Sequence, residues 1–186
     1  MPQRYTDGSK EMDGDKTQYE NRTTISTYWH NKSADLMVSA RVLWEAMEAN
    51  KQAGLRCNST YKMLFGMSLE LLLKAHCVGQ KIENPRIEKT HNLTEIAGIA
   101  GLKFEKSDNK ILEVLSEYII WDGRYPAPKE PSKLKRHWEN IQDTAFDREP
   151  LGTLEVLKPN NTFCFDNLHR IWRRLSDEYM RKYNET

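Results

Sequence analysis

Apolar residues recur every three or four positions along most of this chain, which is the spacing of amphipathic helices. Residues 61–78 differ, because their apolar side chains surround the whole helix: Met63, Leu64, Phe65, Met67, Leu69, Leu71, Leu72, Leu73, Ala75 and Val78. A helix that is apolar on every side is normally enclosed by other helices. The pattern therefore predicts a helical bundle with this segment at its centre.

Two helices are predicted to lie side by side in the core. The first is expected to begin at Ser33 or Asp35 and to have its C-terminal cap at Gly54. Its apolar positions are Leu36, Met37, Ala40, Leu43 and Met47.

The second of the two is the central helix, which is expected to be capped by Asn58 or Ser59 and to end at Gly79. Because only a few residues separate the two helices, they should pack antiparallel, with Leu43 and Met47 against the central helix.

The rest of the chain is predicted to be helical with polar connections. A polar loop over residues 80–90 precedes a short helix, in which Asn92 and Glu95 have the spacing of a capping box. Further helices are predicted over about residues 107–121, from Ser132, and from Thr162 onwards. Residues 144–161 are expected to be irregular, with at most a short extended piece, and no strand pattern is strong enough for a sheet. The predicted fold class is all-α, an antiparallel helical bundle with a long C-terminal helix.

The last two predicted helices are amphipathic. The helix from Ser132 carries apolar Leu134, Trp138 and Ile141 on one side and basic residues elsewhere, namely Lys133, Lys135, Arg136 and His137. The final helix carries Phe165, Leu168, Trp172, Leu175 and Tyr179 on one side.

Composition narrows the class of protein. Charged residues make up 30% of the chain but the formal net charge is only +1, so there is no global electrostatic argument for nucleic acid. No apolar run reaches membrane-spanning length, and the N-terminal residues lack the apolar core of a signal peptide. Residues 1–22 have almost no aliphatic side chains, which predicts a disordered leader before one domain over residues 23–186.

Cysteines and histidines point to no metal or disulfide chemistry. Cys57, Cys77 and Cys164 are far apart and form no CxxC pair. The five histidines share no ligand spacing with one another or with the cysteines. We therefore expect a soluble, cytoplasmic protein with no cofactor, no metal and no membrane association.

One polar stripe interrupts the central helix. Lys62, Gly66, Glu70 and Lys74 follow one another at four-residue spacing and so lie on one side. Charged side chains on so apolar a helix are costly unless they are paired or used. Glu70 and Lys74 therefore form either an ordinary ion pair or the polar wall of a site.

Three segments in order resemble the HEPN domain superfamily. They are Leu-Glu-Leu-Leu-Leu-Lys-Ala at 69–75, Thr-His-Asn-Leu at 90–93 and Trp-Asp-Gly-Arg-Tyr-Pro-Ala-Pro at 121–128. More narrowly, the chain looks like bacterial HEPN-like proteins with an ElxLK helix, a His-x-Leu turn and a GRYP turn. The resemblance spans about residues 33–128.

The resemblance implies a helical, commonly dimeric protein, and many HEPN proteins are metal-independent endoribonucleases of defence or toxin–antitoxin systems. Their active members use an Arg, four to six residues, then a His, where the His acts on the ribose 2′-hydroxyl and the Arg holds the phosphate. Arg86 and His91 match this spacing. Active members place the motif on or against a late helix, whereas here the last helix offers only His169-Arg170, in the reverse order.

The chemistry of the residues suggests a site built from the same segments. A histidine can transfer a proton near neutral pH, which makes His91 the candidate catalytic base. Arg124 suits a bidentate phosphate contact from a turn stiffened by two prolines, and Tyr125 suits stacking on a base. Glu70, Lys74 and Arg86 are the further candidate substrate-binding residues, with Arg86 expected to contribute less than Arg124.

Non-catalytic alternatives explain the same residues. In these alternatives, His91 only hydrogen-bonds at a helix start, Arg124 pairs with Glu70, and Tyr125 fills the core beside Pro126. The protein would then be a non-catalytic HEPN-like module that binds RNA, a nucleotide or a partner protein, or a purely structural dimeric bundle.

The expected partners are a second copy of the chain and either RNA or an antitoxin-like protein. A homodimer is expected from the resemblance and from the number of large apolar residues. Trp138, Trp172, Tyr179 and Tyr183 are the candidates for a surface that is buried only on pairing.

Overall fold

The computed structural model describes residues 8–152 and 154–183, and within them the fold is mostly helical. The helices are α1 (Gly8–Thr24), α2 (Ser26–Ala49), α3 (Lys51–Gly79), α4 (Pro85–Lys89), α5 (Leu93–Ile99), α6 (Lys106–Glu117), α7 (Pro131–Ala145) and α8 (Phe165–Tyr183). A π-helical turn (Tyr118–Asp122) continues α6, and two strands, β1 (Phe146–Leu151) and β2 (Leu154–Pro159), lie between α7 and α8. The helical part of the predicted fold class is confirmed.

The two core helices, α2 and α3, pack antiparallel as predicted. Ser33 contacts Ser68 near one end of the pair, while the rings of Trp44 and Tyr61 lie 5.2 Å apart towards the other. A single extended residue, Asn50, joins the helices and reverses the chain direction. Leu43 and Met47 are partly buried against the core, as expected.

The predicted boundary between these helices is wrong. The chain reverses at Asn50, where the side-chain oxygen accepts a hydrogen bond from the backbone N–H of Gln52 at 2.8 Å. This cap starts α3 at Lys51, well before Asn58 or Ser59, and Gly54 lies inside the first turns of α3. A glycine inside a helix costs only about 1 kcal/mol. The N-cap at Asn50 and the favourable residues around Gly54 more than offset that cost. The end of α3 at Gly79 is as predicted.

The core is organised around α3, whose residues from Tyr61 to Cys77 are buried or partly buried on every side of the helix. Ser33 links three helices: its hydroxyl donates to the Ser68 carbonyl at 2.7 Å and accepts from the Trp172 indole N–H at 2.8 Å. The apolar side of α8 is buried in the core, through Phe165, Leu168, Ile171, Trp172, Leu175 and Tyr179. The hydrogen bonds of Ser33 are made inside the core, and they fix the rotation of α8 about its own axis.

Because of this packing, most of the residues proposed for a dimer surface are not available for one. Trp172 and Tyr179 belong to the core of the single chain, and Tyr183 packs over Gly79. Only Trp138, with 57% of its surface exposed, is available from that set. The homodimer itself stays a prediction.

The side of α7 that faces the core is not its apolar side. Leu134 and Trp138 are exposed, Ile141 is partly buried, and His137 points into the protein. The reason is a set of partners that periodicity does not reveal: the His137 ring packs edge-on against Tyr118 and Trp121, with centroids 5.2 and 5.0 Å away.

A two-stranded antiparallel hairpin occupies much of the segment expected to be irregular, so the prediction of no sheet is wrong. The register pairs Phe146 with Pro159 and Leu151 with Leu154. Apart from Phe146 at its base, the side chains of both strands are exposed, so the sequence has no alternation to signal a strand. Cross-strand ion pairs, such as Lys158–Glu149 at 3.0 Å, accompany the backbone ladder.

The predicted leader is partly described by the structure. Gly8–Thr24 forms α1, which differs from the expected disorder over residues 8–22, while residues 1–7 lie outside the described part. No proline interrupts this stretch, and the Trp29 indole donates to the Thr23 carbonyl at 3.1 Å, which ties the end of α1 to α2. The sequence predicted disorder from the lack of apolar residues, and α1 indeed has an almost wholly exposed surface over residues 14–24.

Among residues 8–152 and 154–183, no helix has both the length and the apolar character needed to cross a membrane.

Two buried lysines on α3 have different environments. Lys74 forms a 2.7 Å ion pair with Glu70. Lys62, only 9% exposed, donates to the Tyr118 hydroxyl at 3.2 Å and lies over the rings of Tyr118 and Phe163. Within the described residues, no carboxylate lies within 4 Å of its ammonium group.

The absence of a carboxylate beside Lys62 in the described structure predicts that the free energy of unfolding depends on pH. Burial lowers the pKa of Lys62 from 10.5 to about 8, although the charge of Asp122 acts in the opposite direction. Between about pH 8 and pH 10.5 the unfolded chain binds a proton at Lys62 that the folded protein lacks, so the contribution of Lys62 to the free energy of unfolding should rise with pH in this window. Burial raises the pKa of Cys77 to about 11, and this acts in the opposite direction. Lys62→Met should remove the rise due to Lys62 and increase the free energy of unfolding at pH 7 by roughly 1–3 kcal/mol.

Urea unfolding of both proteins at pH 7 and at pH 10 measures the effect. Lys135→Met, which removes an exposed lysine of α7, is the control and should behave like wild type. A Lys62→Met protein that is less stable than wild type at pH 7 would contradict the argument.

Candidate functional site

Glu70 is the centre of a buried charged cluster. Its carboxylate accepts from the Lys74 ammonium at 2.7 Å, and the two residues lie one turn apart on α3. The His91 Nδ1 lies 3.0 and 3.1 Å from the two carboxylate oxygens. The expectation that Glu70 is buried and paired is therefore confirmed, and both proposed roles of the stripe are met in one place: an ion pair that also contacts a candidate site residue.

His91 is held by the turn between α4 and α5. The Asn92 side chain caps α5 by accepting from the backbone N–H groups of Thr94 and Glu95. The next residue, Leu93, donates its backbone N–H to the buried Ser116 hydroxyl at 2.9 Å, which fastens the turn to α6. The backbone that carries the imidazole is therefore fixed on the C-terminal side of His91.

The capping box is only half as predicted. Asn92 is the N-cap, but Glu95 does not return to the Asn92 backbone. Instead, the Thr90 hydroxyl donates to Glu95 at 2.8 Å and accepts from the Asn92 N–H at 3.2 Å. Thr90 thus takes over the second half of the box and holds the residue on the other side of His91.

The orientation of the imidazole suits proton transfer. A carboxylate beside Nδ1 favours the tautomer that carries its proton there, which leaves Nε2 as the acceptor. The His91 side chain is 47% exposed, and within the described residues Nε2 has no hydrogen-bond partner. The pair therefore presents a positioned, solvent-accessible acceptor nitrogen, and Glu70 can stabilise the imidazolium after it takes a proton.

Arg86 lies close to this turn along the chain and contacts it. The segment expected to be a polar loop contains α4, which begins with Pro85 and is capped by Asn84. Proline at the first helical position and asparagine at the cap are a favourable start, which explains the short helix. Arg86 is 78% exposed and its guanidinium lies 3.5 Å from Glu95, the same carboxylate that holds Thr90.

Arg124 and Tyr125 lie elsewhere. The Arg124 guanidinium donates to the Ile120 carbonyl at 2.6 Å and lies 5.4 Å from the centre of the Tyr125 ring. Both side chains are exposed, so the expectation of Tyr125 as a core ring is wrong. In the described structure, no hydrogen bond or ion pair links Arg124 to Glu70 or to His91.

The π-helical turn explains this separation. Its defining hydrogen bond runs from the Gly123 N–H to the Tyr118 carbonyl at 3.0 Å. Gly123 packs so closely on α3 that a Cβ there would lie 2.4 Å from the Cβ of Met63. Met63 precedes Glu70 by two helical turns, about 10 Å along α3, so the turn carrying Arg124 is anchored away from the Glu70 cluster.

The sequence analysis missed the contact between His137 and Asp122. The His137 Nε2 lies 3.2 Å from the Asp122 carboxylate, at the end of the π-helical turn. Its other ring nitrogen is buried and without a hydrogen-bond partner among the described residues. No signal in the sequence separates His137 from the basic residues around it on α7.

No three or more metal-binding side chains converge anywhere in residues 8–152 and 154–183.

Comparison of the chain with models of protein families, with curated proteins and with solved structures finds no match. The relation to the HEPN superfamily thus depends on the three motifs.

The buried cluster predicts a non-additive stability effect. Lys74→Met leaves the Glu70 carboxylate in the core without its cation, so it should lower the free energy of unfolding by about 3 kcal/mol. The double variant Glu70→Leu/Lys74→Met removes both charges and should recover most of that loss. Urea unfolding at pH 7 of wild type, the single variant and the double variant measures this. A double variant no more stable than Lys74→Met would show that the ion pair does not account for the loss.

Proposed function

We propose that this protein is an HEPN-like, metal-independent endoribonuclease of a bacterial defence or toxin–antitoxin system, with His91 as its proton-transfer group. One observation carries the proposal: a half-exposed imidazole whose Nδ1 is held by a buried carboxylate. A positioned base of this kind, oriented by a third group, is what cleavage of RNA without a metal ion requires. The three HEPN-like motifs supply the substrate class.

The proposed reaction is a transesterification within the RNA strand. His91 Nε2 takes the proton of a ribose 2′-hydroxyl, and the 2′-oxygen attacks the adjacent phosphorus. The bond from phosphorus to the 5′-oxygen of the next nucleotide breaks, and that oxygen takes a proton from water. The His91 imidazolium then returns its proton to the hydroxide left by that transfer. The products are a 2′,3′-cyclic phosphate and a 5′-hydroxyl end. Glu70 stabilises the imidazolium, and Lys74 holds Glu70 in place.

The phosphate needs a cation beside His91, and Arg86 fits this role better than Arg124. Arg86 is tied through Glu95 and Thr90 to the turn that holds His91. Its guanidinium is mostly exposed, so it can turn towards a bound phosphate. Arg124 and Tyr125 then serve as a separate contact for the bound strand, with the exposed Tyr125 ring available for base stacking.

A non-catalytic HEPN-like module is the second candidate. It is favoured by the absence, among the described residues, of any hydrogen bond or ion pair between His91 and an arginine. In either case we place the protein in the cytoplasm, as a homodimer, with RNA or an antitoxin-like protein as its partner.

The activity is tested by incubating purified protein with total RNA in EDTA. Cleavage should survive EDTA and leave 2′,3′-cyclic phosphate ends. His91→Ala should lower the rate by about two to four orders of magnitude, since it removes the base. Arg86→Ala should lower it by about two orders, since it removes the exposed cation that is tied to the turn carrying the base. Arg124→Ala should have a smaller effect that appears mainly in RNA affinity.

Arg173→Ala is the matched control, because it removes an exposed arginine from α8 that pairs only with Asp177. Circular dichroism of each variant separates lost chemistry from lost folding. If Arg124→Ala abolishes cleavage while Arg86→Ala does not, the phosphate site lies at the π-helical turn. If no version cuts RNA, the non-catalytic module replaces the ribonuclease.

A further inference from the structure

A second polar feature of α3 lies apart from the Glu70 cluster. Lys62 precedes Glu70 by about 12 Å along the helix and faces a cavity of about 430 Å³. The cavity lies between α3, α7, the base of the hairpin and the segment before α8. The residues around it are Trp44, Met47, Asn58, Lys62, Tyr118, Trp138, Ile141, Ala145, Phe146, Pro159, Asn160, Asn161, Phe163 and Cys164.

The charge of this cavity comes from a single side chain. Among its described lining residues, Lys62 alone carries a formal charge at neutral pH. Asp122 is the nearest carboxylate to act on it, but Asp122 lies beyond ion-pair distance and contacts His137. The cavity is therefore a positive, mostly apolar environment, with no anion of the protein beside the ammonium.

The ammonium group has unused binding capacity. Its described hydrogen bond goes to the Tyr118 hydroxyl, and two aromatic rings face it at 4.9 and 5.1 Å. An ammonium has three donors, and in a buried environment an anion is a far stronger partner than a ring. Lys74, the other buried lysine, has a carboxylate of the protein at 2.7 Å, whereas Lys62 has none in the described structure. With a pKa of about 8, Lys62 is still mostly protonated at neutral pH and so available to an anion.

The walls define the shape of an occupant. Five aromatic side chains line the cavity, namely Trp44, Tyr118, Trp138, Phe146 and Phe163. Flat aromatic molecules pack well in such surroundings, and a volume of a few hundred Å³ suits a small one. Trp138 is mostly exposed, so it forms the rim, and Asn58 and Asn161 add amide groups.

We propose that this cavity binds a small aromatic carboxylate, with the ring between the aromatic walls and the carboxylate beside the Lys62 ammonium. The site is independent of the ribonuclease proposal, because none of its residues contributes to the Glu70 cluster. It also accounts for an exposed tryptophan on α7 and for a buried lysine that the protein leaves without an anion.

The test compares two probes of the same shape, 2-naphthoate and its neutral amide, 2-naphthamide. Binding to wild type at pH 7 is measured by isothermal titration calorimetry and by the change in tryptophan fluorescence. We expect one saturable site for 2-naphthoate and at least tenfold weaker binding of 2-naphthamide, because only the acid places an anion beside Lys62.

Lys62→Met should abolish the preference for the acid, while Lys135→Met, which removes an exposed lysine on α7, should keep it. Circular dichroism checks that both variants fold. The comparison of acid and amide on wild type tests the proposal even if Lys62→Met fails to fold. Equal binding of the two probes, no saturable binding of 2-naphthoate at millimolar concentration, or a preference that survives in Lys62→Met would each overturn it.

Discussion

The enclosure of α3 is the constraint on which the rest of the structure depends. Between Tyr61 and Cys77 the charged groups of this helix have little access to water, so each of them needs a partner inside the protein. Glu70 and Lys74 meet that need by pairing at 2.7 Å, and the same carboxylate then fixes the imidazole of His91. The orientation of His91, the candidate proton-transfer group, thus follows from the pairing of the buried charge of Glu70. The turn that carries His91 is held in turn by Thr90, Asn92 and the hydroxyl of Ser116.

The two buried lysines of α3 show the two outcomes of that constraint. Lys74 pairs with a carboxylate of its own chain. In that cluster the charges of Lys74 and Glu70 are paired, while the exposed side of His91 has no partner in the described structure. Lys62 has a hydroxyl and two rings, which lessen the cost of burying its charge without removing it. That residual cost is visible as a lowered pKa, and it makes the cavity beside Lys62 attractive to an anion. The fold therefore places two chemically distinct environments two turns apart on one helix.

Much of the helical architecture could be predicted because it is encoded locally. Apolar spacing identified the central helix, its end at Gly79 and the apolar side of α8. The four-residue spacing of Glu70 and Lys74 predicted their ion pair. Boundaries were less accurate, because Asn50 provides a cap whose strength depends on two backbone N–H groups rather than on a residue pattern. The hairpin was missed because its side chains are exposed almost throughout, so burial imposed no alternation on them.

The sequence by itself determined most of the helical segments, though not α1 or α4, and that α3 is central. Helix geometry repeats every few residues and requires no knowledge of distant parts of the chain. Tertiary structure alone decided which side chains meet. The π-helical turn and the close contact of Gly123 with Met63 hold Arg124 away from Glu70, although their motifs suggested a common site. The rotation of α7 places His137 inside and Trp138 outside. Trp172 and Tyr179 lie in the core of one chain because α8 closes over α2 and α3. These outcomes depend on contacts between residues far apart in sequence, and a periodic pattern carries no information about such partners.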